Sequence, residues 1–185
     1  MLLQGCSPHT VAGTPSSSAS VVAPNSSVSS SSKVTNPLPV SAMAKHPCDG
    51  ALTSGQLAQL LGEAPAPEHA DDATGPVCHW QKTSTGAIVG VGYMTNVSGG
   101  VSQVYDQQQG DAYRQVLQVG GYPALAYNST ESSPVTDCHV AVGVTDTLAY
   151  DVGFVVGSNR YRKMNPCDAA VDIAGKVLSN LKAAA

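Results

Sequence analysis

Apolar residues fall on every second position from Cys138 through Val140 and Val142 to Val144, with His139, Ala141, Gly143 and Thr145 between them. After a tight turn at Thr145-Asp146 the alternation resumes through Leu148, Tyr150, Val152, Phe154 and Val156. A period of two sends successive side chains to opposite faces, so each stretch reads as a half-buried strand. The apolar face of such a pair needs a second layer. The C-terminal segment supplies it. Asn165 at the N-cap, Pro166 at the first helical position and Asp168 in the first turn start a helix with Val171, Ala174, Val177, Leu178 and Leu181 on one stripe.

The remaining elements fit the same plan. Ser54 to Gly62 reads as a short amphipathic helix through Leu57, Leu60 and Leu61, closed by a C-terminal glycine. Glu63 to Pro76 carries no period and reads as a loop. Cys78 to Lys82 and Ala87 to Thr95 read as strands, the second with Val89, Val91 and Tyr93 on one face and Gly90 and Gly92 on the other. Val101 to Gln109 reads as helical. Gln115 to Val119 and Tyr122 to Tyr127 form a hairpin about Gly120-Gly121, with Pro123 at an edge or at a poorly paired position. The expected fold is α+β: an antiparallel sheet of five or six strands packed by N- and C-terminal helices and stapled by disulfides.

The N-terminal part has another character. Leu2-Leu3-Gln4-Gly5-Cys6 reads as a lipobox, which makes residues 1–5 the remnant of a lipoprotein signal peptide and Cys6 the thiol that receives diacylglycerol. Residues 6–45 are rich in Ser, Thr, Pro and Ala and read as a disordered tether with a span of roughly 35 Å, about 5.5 Å times the square root of its length. Residues 46–185 then form one globular domain. No apolar run reaches the about 18 residues of a spanning helix, so the expected anchor is lipid, on the extracytoplasmic face of the cell membrane. The net charge is −4 and no basic stripe alternates with aromatics, which argues against nucleic acid. The basic cluster Arg160, Arg162 and Lys163 reads as a solvated turn.

Setting Cys6 aside leaves Cys48, Cys78, Cys138 and Cys167, which allow three pairings. Cys48 and Cys167 sit in matching Pro-Cys-Asp tripeptides near terminal helices, and Cys78 and Cys138 sit in strands. Joining like with like gives Cys48–Cys167 and Cys78–Cys138, with Trp80 packed on the Cys78 bridge. A zinc set of Cys78, His79, Cys138 and His139 is disfavoured, because neighbours along a strand point to opposite faces. No metal or cofactor is expected.

Pro47-Cys48-Asp49 before Leu57 to Leu61, Cys78-x-Trp80, Val119-Gly120-Gly121-Tyr122-Pro123-Ala124, the Cys138 strand and Pro166-Cys167 before the last helix resemble actinobacterial lipoproteins of domain of unknown function 3558. The resemblance covers nearly the whole folded part and implies envelope location, disulfides and an α+β domain. It supplies no activity.

No nucleophile elbow, phosphate loop or paired-His metal motif occurs, and no catalytic residue is assigned. Gly90 and Gly92 mark either close packing of a helix or room for a ligand. Seven Tyr stand against one Phe, and Tyr105, Tyr113, Tyr122 and Tyr127 are a candidate surface for a partner or ligand if they cluster. Asp151 can oppose His139 as a surface ion pair. The leading expectation is a non-catalytic binding or accessory module for an unknown envelope protein, lipid or glycan. The alternatives are a sensor or carrier domain with a pocket for a lipid or small envelope ligand, and a hydrolase whose residues assemble only in the fold.

Overall fold

The computed structural model describes residues 33–111, 113–128 and 135–185. Cys6 and most of the expected tether lie outside them. The sheet is antiparallel, with strands β1 (Glu68–Asp72), β2 (Gly75–Lys82), β3 (Ala87–Met94), β4 (Tyr113–Val119), β5 (Tyr122–Asn128), β6 (Asp137–Gly143) and β7 (Ala149–Val155). Three α-helices accompany it: α1 (Ser54–Leu61), α2 (Gly100–Gln107) and α3 (Pro166–Ala184). The strand order is β1-β2-β3-β7-β6-β5-β4, which puts β3, β7 and β6 in the middle.

The sheet thus has seven strands where five or six were expected. The additional strand is β1, inside the segment read as a loop. It is a polar edge strand and carries no apolar period to betray it. Turn chemistry makes it: Asp72 Oδ1 accepts hydrogen bonds from the Thr74 N–H at 2.7 Å and the Gly75 N–H at 3.1 Å, closing a two-residue turn into β2. At the other end of the sheet Gly120 (φ 56°) and Gly121 (φ 87°) both take the positive φ that a tight hairpin turn of this kind needs. Strand β5 is internal rather than an edge, but its ladder with β6 begins only at Ala124, so Pro123 has no N–H to contribute there and none is required.

One face is sealed. Trp80, Val89, Val91, Val140, Val142, Tyr150 and Val152 are buried there in one core with Ala170, Ile173, Ala174, Val177 and Leu181 of α3. The Tyr150 hydroxyl donates to the Ala174 carbonyl at 2.8 Å, fixing the helix along its length. Asn165 caps the helix by accepting from the Cys167 N–H at 2.9 Å. Thr53 and Gln56 form a reciprocal capping box on α1. The end of the expected tether belongs to the domain: Ala42 and Met43 are buried, and the Leu38 N–H donates to the Val144 carbonyl at 3.0 Å.

The disulfides pair Cys48 with Cys78 and Cys138 with Cys167, correcting the expected Cys48–Cys167 and Cys78–Cys138 bridges. Cys78 and Cys138 do share the sealed face, but β3 and β7 stand between them. Three inter-strand steps amount to about 14 Å, twice the roughly 7 Å that a disulfide can span between Cα atoms. Each strand cysteine instead takes the helical segment lying over it, with Cα–Cα distances of 5.1 and 5.0 Å. The loops closed have separations of 30 and 29 residues, worth about 3.6 kcal/mol each in the chain-entropy model.

Candidate ligand-binding site

The second face is only partly covered. Helix α2 lies over β5 and β6, burying Val101, Val104 and Tyr105 against Leu125, Ala141 and Ala149. Beside it no helix of the described residues covers the sheet, and its pairing register explains the shape. Glu68, His79, Gly90, Gly153, His139 and Tyr127 are successive cross-strand partners from β1 to β5. The two middle strands contribute glycine to this row and the strands flanking them contribute histidine. Gly92 extends the recess one row further, between Val77 and Asp151.

The result is a trough of about 620 Å³. Its floor is glycine backbone, and the imidazoles lean over that floor: a Cβ on Gly90 would lie 3.2 Å from His79 Cδ2, and one on Gly153 would lie 3.0 Å from His139 Cε1. Val77, Ile88, Met94 and Val104 give it apolar wall. Glu68, Asp72, Asp137 and Asp151 give it four carboxylates, and among the described residues no Lys or Arg lines it.

One wall is a hydrogen-bonded unit. Asp151 accepts from Tyr127 at 2.9 Å through Oδ1 and meets His139 Nδ1 at 2.8 Å through Oδ2. The Tyr127 and His139 rings stack with centroids 5.3 Å apart. Burial pulls the His139 pKa down, but the hydrogen bond and charge of Asp151, with Asp137 and Asp111 behind it, more than offset this and hold it above the ordinary imidazole value. Burial, then the Asp151 charge, pushes the Tyr127 phenol well above its usual range, so it remains a donor. At the far end slight burial raises the Asp72 carboxyl, while hydrogen bonds from Thr74 and Gly75 and the charge of His79 bring it below its usual value.

Sequence reasoning placed Gly90, Gly92 and Tyr127 in a candidate surface, and all three line the trough. Among the described residues no helix packs on the two glycines. The tyrosines do not form one surface. Tyr105 is buried under α2 with its hydroxyl on the Ala124 carbonyl at 3.0 Å. Tyr122 lies on the sealed face, donating to the Asn36 carbonyl at 2.7 Å with Lys182 over its ring. The Tyr113 side chain lies outside the described residues. His139 and Asp151 do pair, as a wall of the trough rather than an isolated surface contact. His79 and Gly153 were missed; Gly153 sits in the same outward phase as Asp151, the one signal that could have marked it.

Among the described residues the hydroxyls lining the trough are those of Thr74 and Tyr127, each donating to a carboxylate. A His–Asp pair is present, and among the described residues no Ser or Cys lines the trough beside it. The basic residues before α3 point elsewhere: Arg160 donates to the Leu60 carbonyl and Lys163 to that of Asn159. Among the described residues no helix is long and apolar enough to cross a membrane. No curated protein and no solved structure matches the chain. The family model described as "Protein of unknown function (DUF3558)" matches residues 1–180, and the chain belongs to that family.

Proposed function

We propose that the chain is a lipid-anchored binding module of an actinobacterial cell envelope, and that the trough holds a small organic ligand. The observation that carries the ligand reading is the glycine floor. Glycine inside a strand costs about 0.5–1 kcal/mol relative to alanine, and here Gly90, Gly92 and Gly153 occupy the two adjacent strands β3 and β7 on one face. None of the described residues fills the space they leave, and a volume near 620 Å³ suits a ligand of drug-like size.

The lining sets the chemistry. Four carboxylates against two imidazoles favour a ligand offering hydrogen-bond donors or a positive charge, and the apolar wall favours a hydrocarbon body beside it. Tyr127 and His139 are locked to Asp151 and give a rigid polar end.

Diacylglycerol on Cys6 would hold the domain at the outer face of the cytoplasmic membrane. This is supported by Leu2-Leu3-Gln4-Gly5-Cys6 and by the disulfides, which suit an oxidising compartment. The test is a native mass spectrum of the protein extracted from the envelope of its producing cells. A stoichiometric organic adduct beside a diacylated Cys6 supports the reading. A lipidated chain without adduct points instead to a docking module for an envelope protein or glycan.

A further inference from the structure

We propose that His46, His69, Cys48 and Cys78 form a thiol-gated zinc site, distinct from the trough and on the opposite face of the sheet. His69 is the cross-strand partner of Cys78, so both side chains rise from the same face. Cys48 is bonded to Cys78 from above. His46, two residues earlier, stands over His69 with ring centroids 4.5 Å apart. Donor atoms of His46, Cys48 and His69 all lie within 4.8 Å of one another. A tetrahedral zinc needs its ligand atoms about 3.3–3.8 Å apart, given Zn–N near 2.0 Å and Zn–S near 2.3 Å, so small side-chain rotations close the set.

His46 Nδ1 accepts the Cys48 N–H at 3.2 Å, which places the ring proton on Nε2, so zinc takes the Nδ1 lone pair in exchange for that hydrogen bond. In the disulfide form the sulfurs are poor ligands. A dithiol reductant changes that: its thiolate attacks Cys48 Sγ and expels Cys78 as thiolate, and its second thiol resolves the mixed disulfide, releasing Cys48 and leaving the reductant oxidised. Zn²⁺ then displaces the remaining thiol proton, giving a Cys₂His₂ set.

Access makes the gate selective. Cys48 is partly exposed over a buried Cys78, whereas Cys138 and Cys167 are both buried, at 0 % and 5 % exposed. An attacking thiolate reaches the first bridge and not the second.

The experiment is mild dithiol treatment of the full chain, alkylation counting of thiols, and zinc titration followed by native mass spectrometry, with cobalt(II) as a spectroscopic probe. The expected result is two reactive thiols besides Cys6, one zinc per chain and tetrahedral cobalt absorption with thiolate charge transfer. The His46→Ala/His69→Ala variant should bind zinc at least tenfold more weakly than the wild type. Reduced wild-type protein that holds no zinc, or equal zinc affinity in the His46→Ala/His69→Ala variant, overturns the proposal.

Discussion

His139 on β6 and Gly153 on β7 are direct cross-strand partners, and the imidazole occupies the space that any side chain at position 153 would need, lying 3.0 Å from its Cβ position. The absent side chain lets His139 swing down to Asp151 at 2.8 Å. The polar end of the trough depends on that one vacancy in the strand.

The first consequence is in pH. His139 has a raised pKa in the fold, so the stability it contributes is fully present below the unfolded value of about 6.5 and is lost as pH rises through the folded value. Asp151→Asn should lower the His139 pKa, followed by NMR of the imidazole C–H signals. Its destabilising effect should be larger near pH 6 than near pH 8.5. With the ring 44 % exposed, solvent screening keeps that difference to about 1 kcal/mol or less.

The two bridges should differ in kinetics more than in worth. Replacing either pair by alanine should cost about 3–4 kcal/mol in denaturant unfolding. Titration with a thiol reductant under native conditions should open Cys48–Cys78 first, because Cys138 and Cys167 are both buried. Peptide mapping after alkylation reads the order.

Helix α3 is held mainly by apolar packing. Ile173 is fully buried between helix and sheet, and Ile173→Ala should destabilise by about 2–5 kcal/mol. Tyr150→Phe removes only the hydrogen bond to the Ala174 carbonyl and should cost about 1 kcal/mol. Urea unfolding of the two variants checks the ratio.

Legibility followed burial. The stretch Cys138 to Val156 and the helix at Pro166 could be read because one face of each is core, and the Gly120-Gly121 turn because its backbone demands glycine. Strand β1 could not, since Glu68-His69-Ala70-Asp71-Asp72 is an edge with no apolar face and is made by the Asp72 turn. Leu38, Ala42 and Met43 dock from a segment whose composition otherwise reads as tether. Disulfide pairing failed for the same reason as half of the trough. Both depend on β3 and β7 lying together between β2 and β6, and strand order is a long-range property that no local pattern encodes.

Gly92→Leu is the variant on which the binding reading turns. A Cβ at this position meets only Val77 Cγ2 at 3.4 Å and the Pro76 carbonyl at 4.0 Å, so the leucine fits the fold and projects into the trough. The measurement is native mass spectrometry of wild-type and Gly92→Leu protein purified side by side from the producing envelope, with circular dichroism to verify the fold. An organic adduct on the wild type that is lost from a folded Gly92→Leu protein is the expected result; the same adduct at the same occupancy on both, or none on either, would contradict a ligand site on the glycine floor.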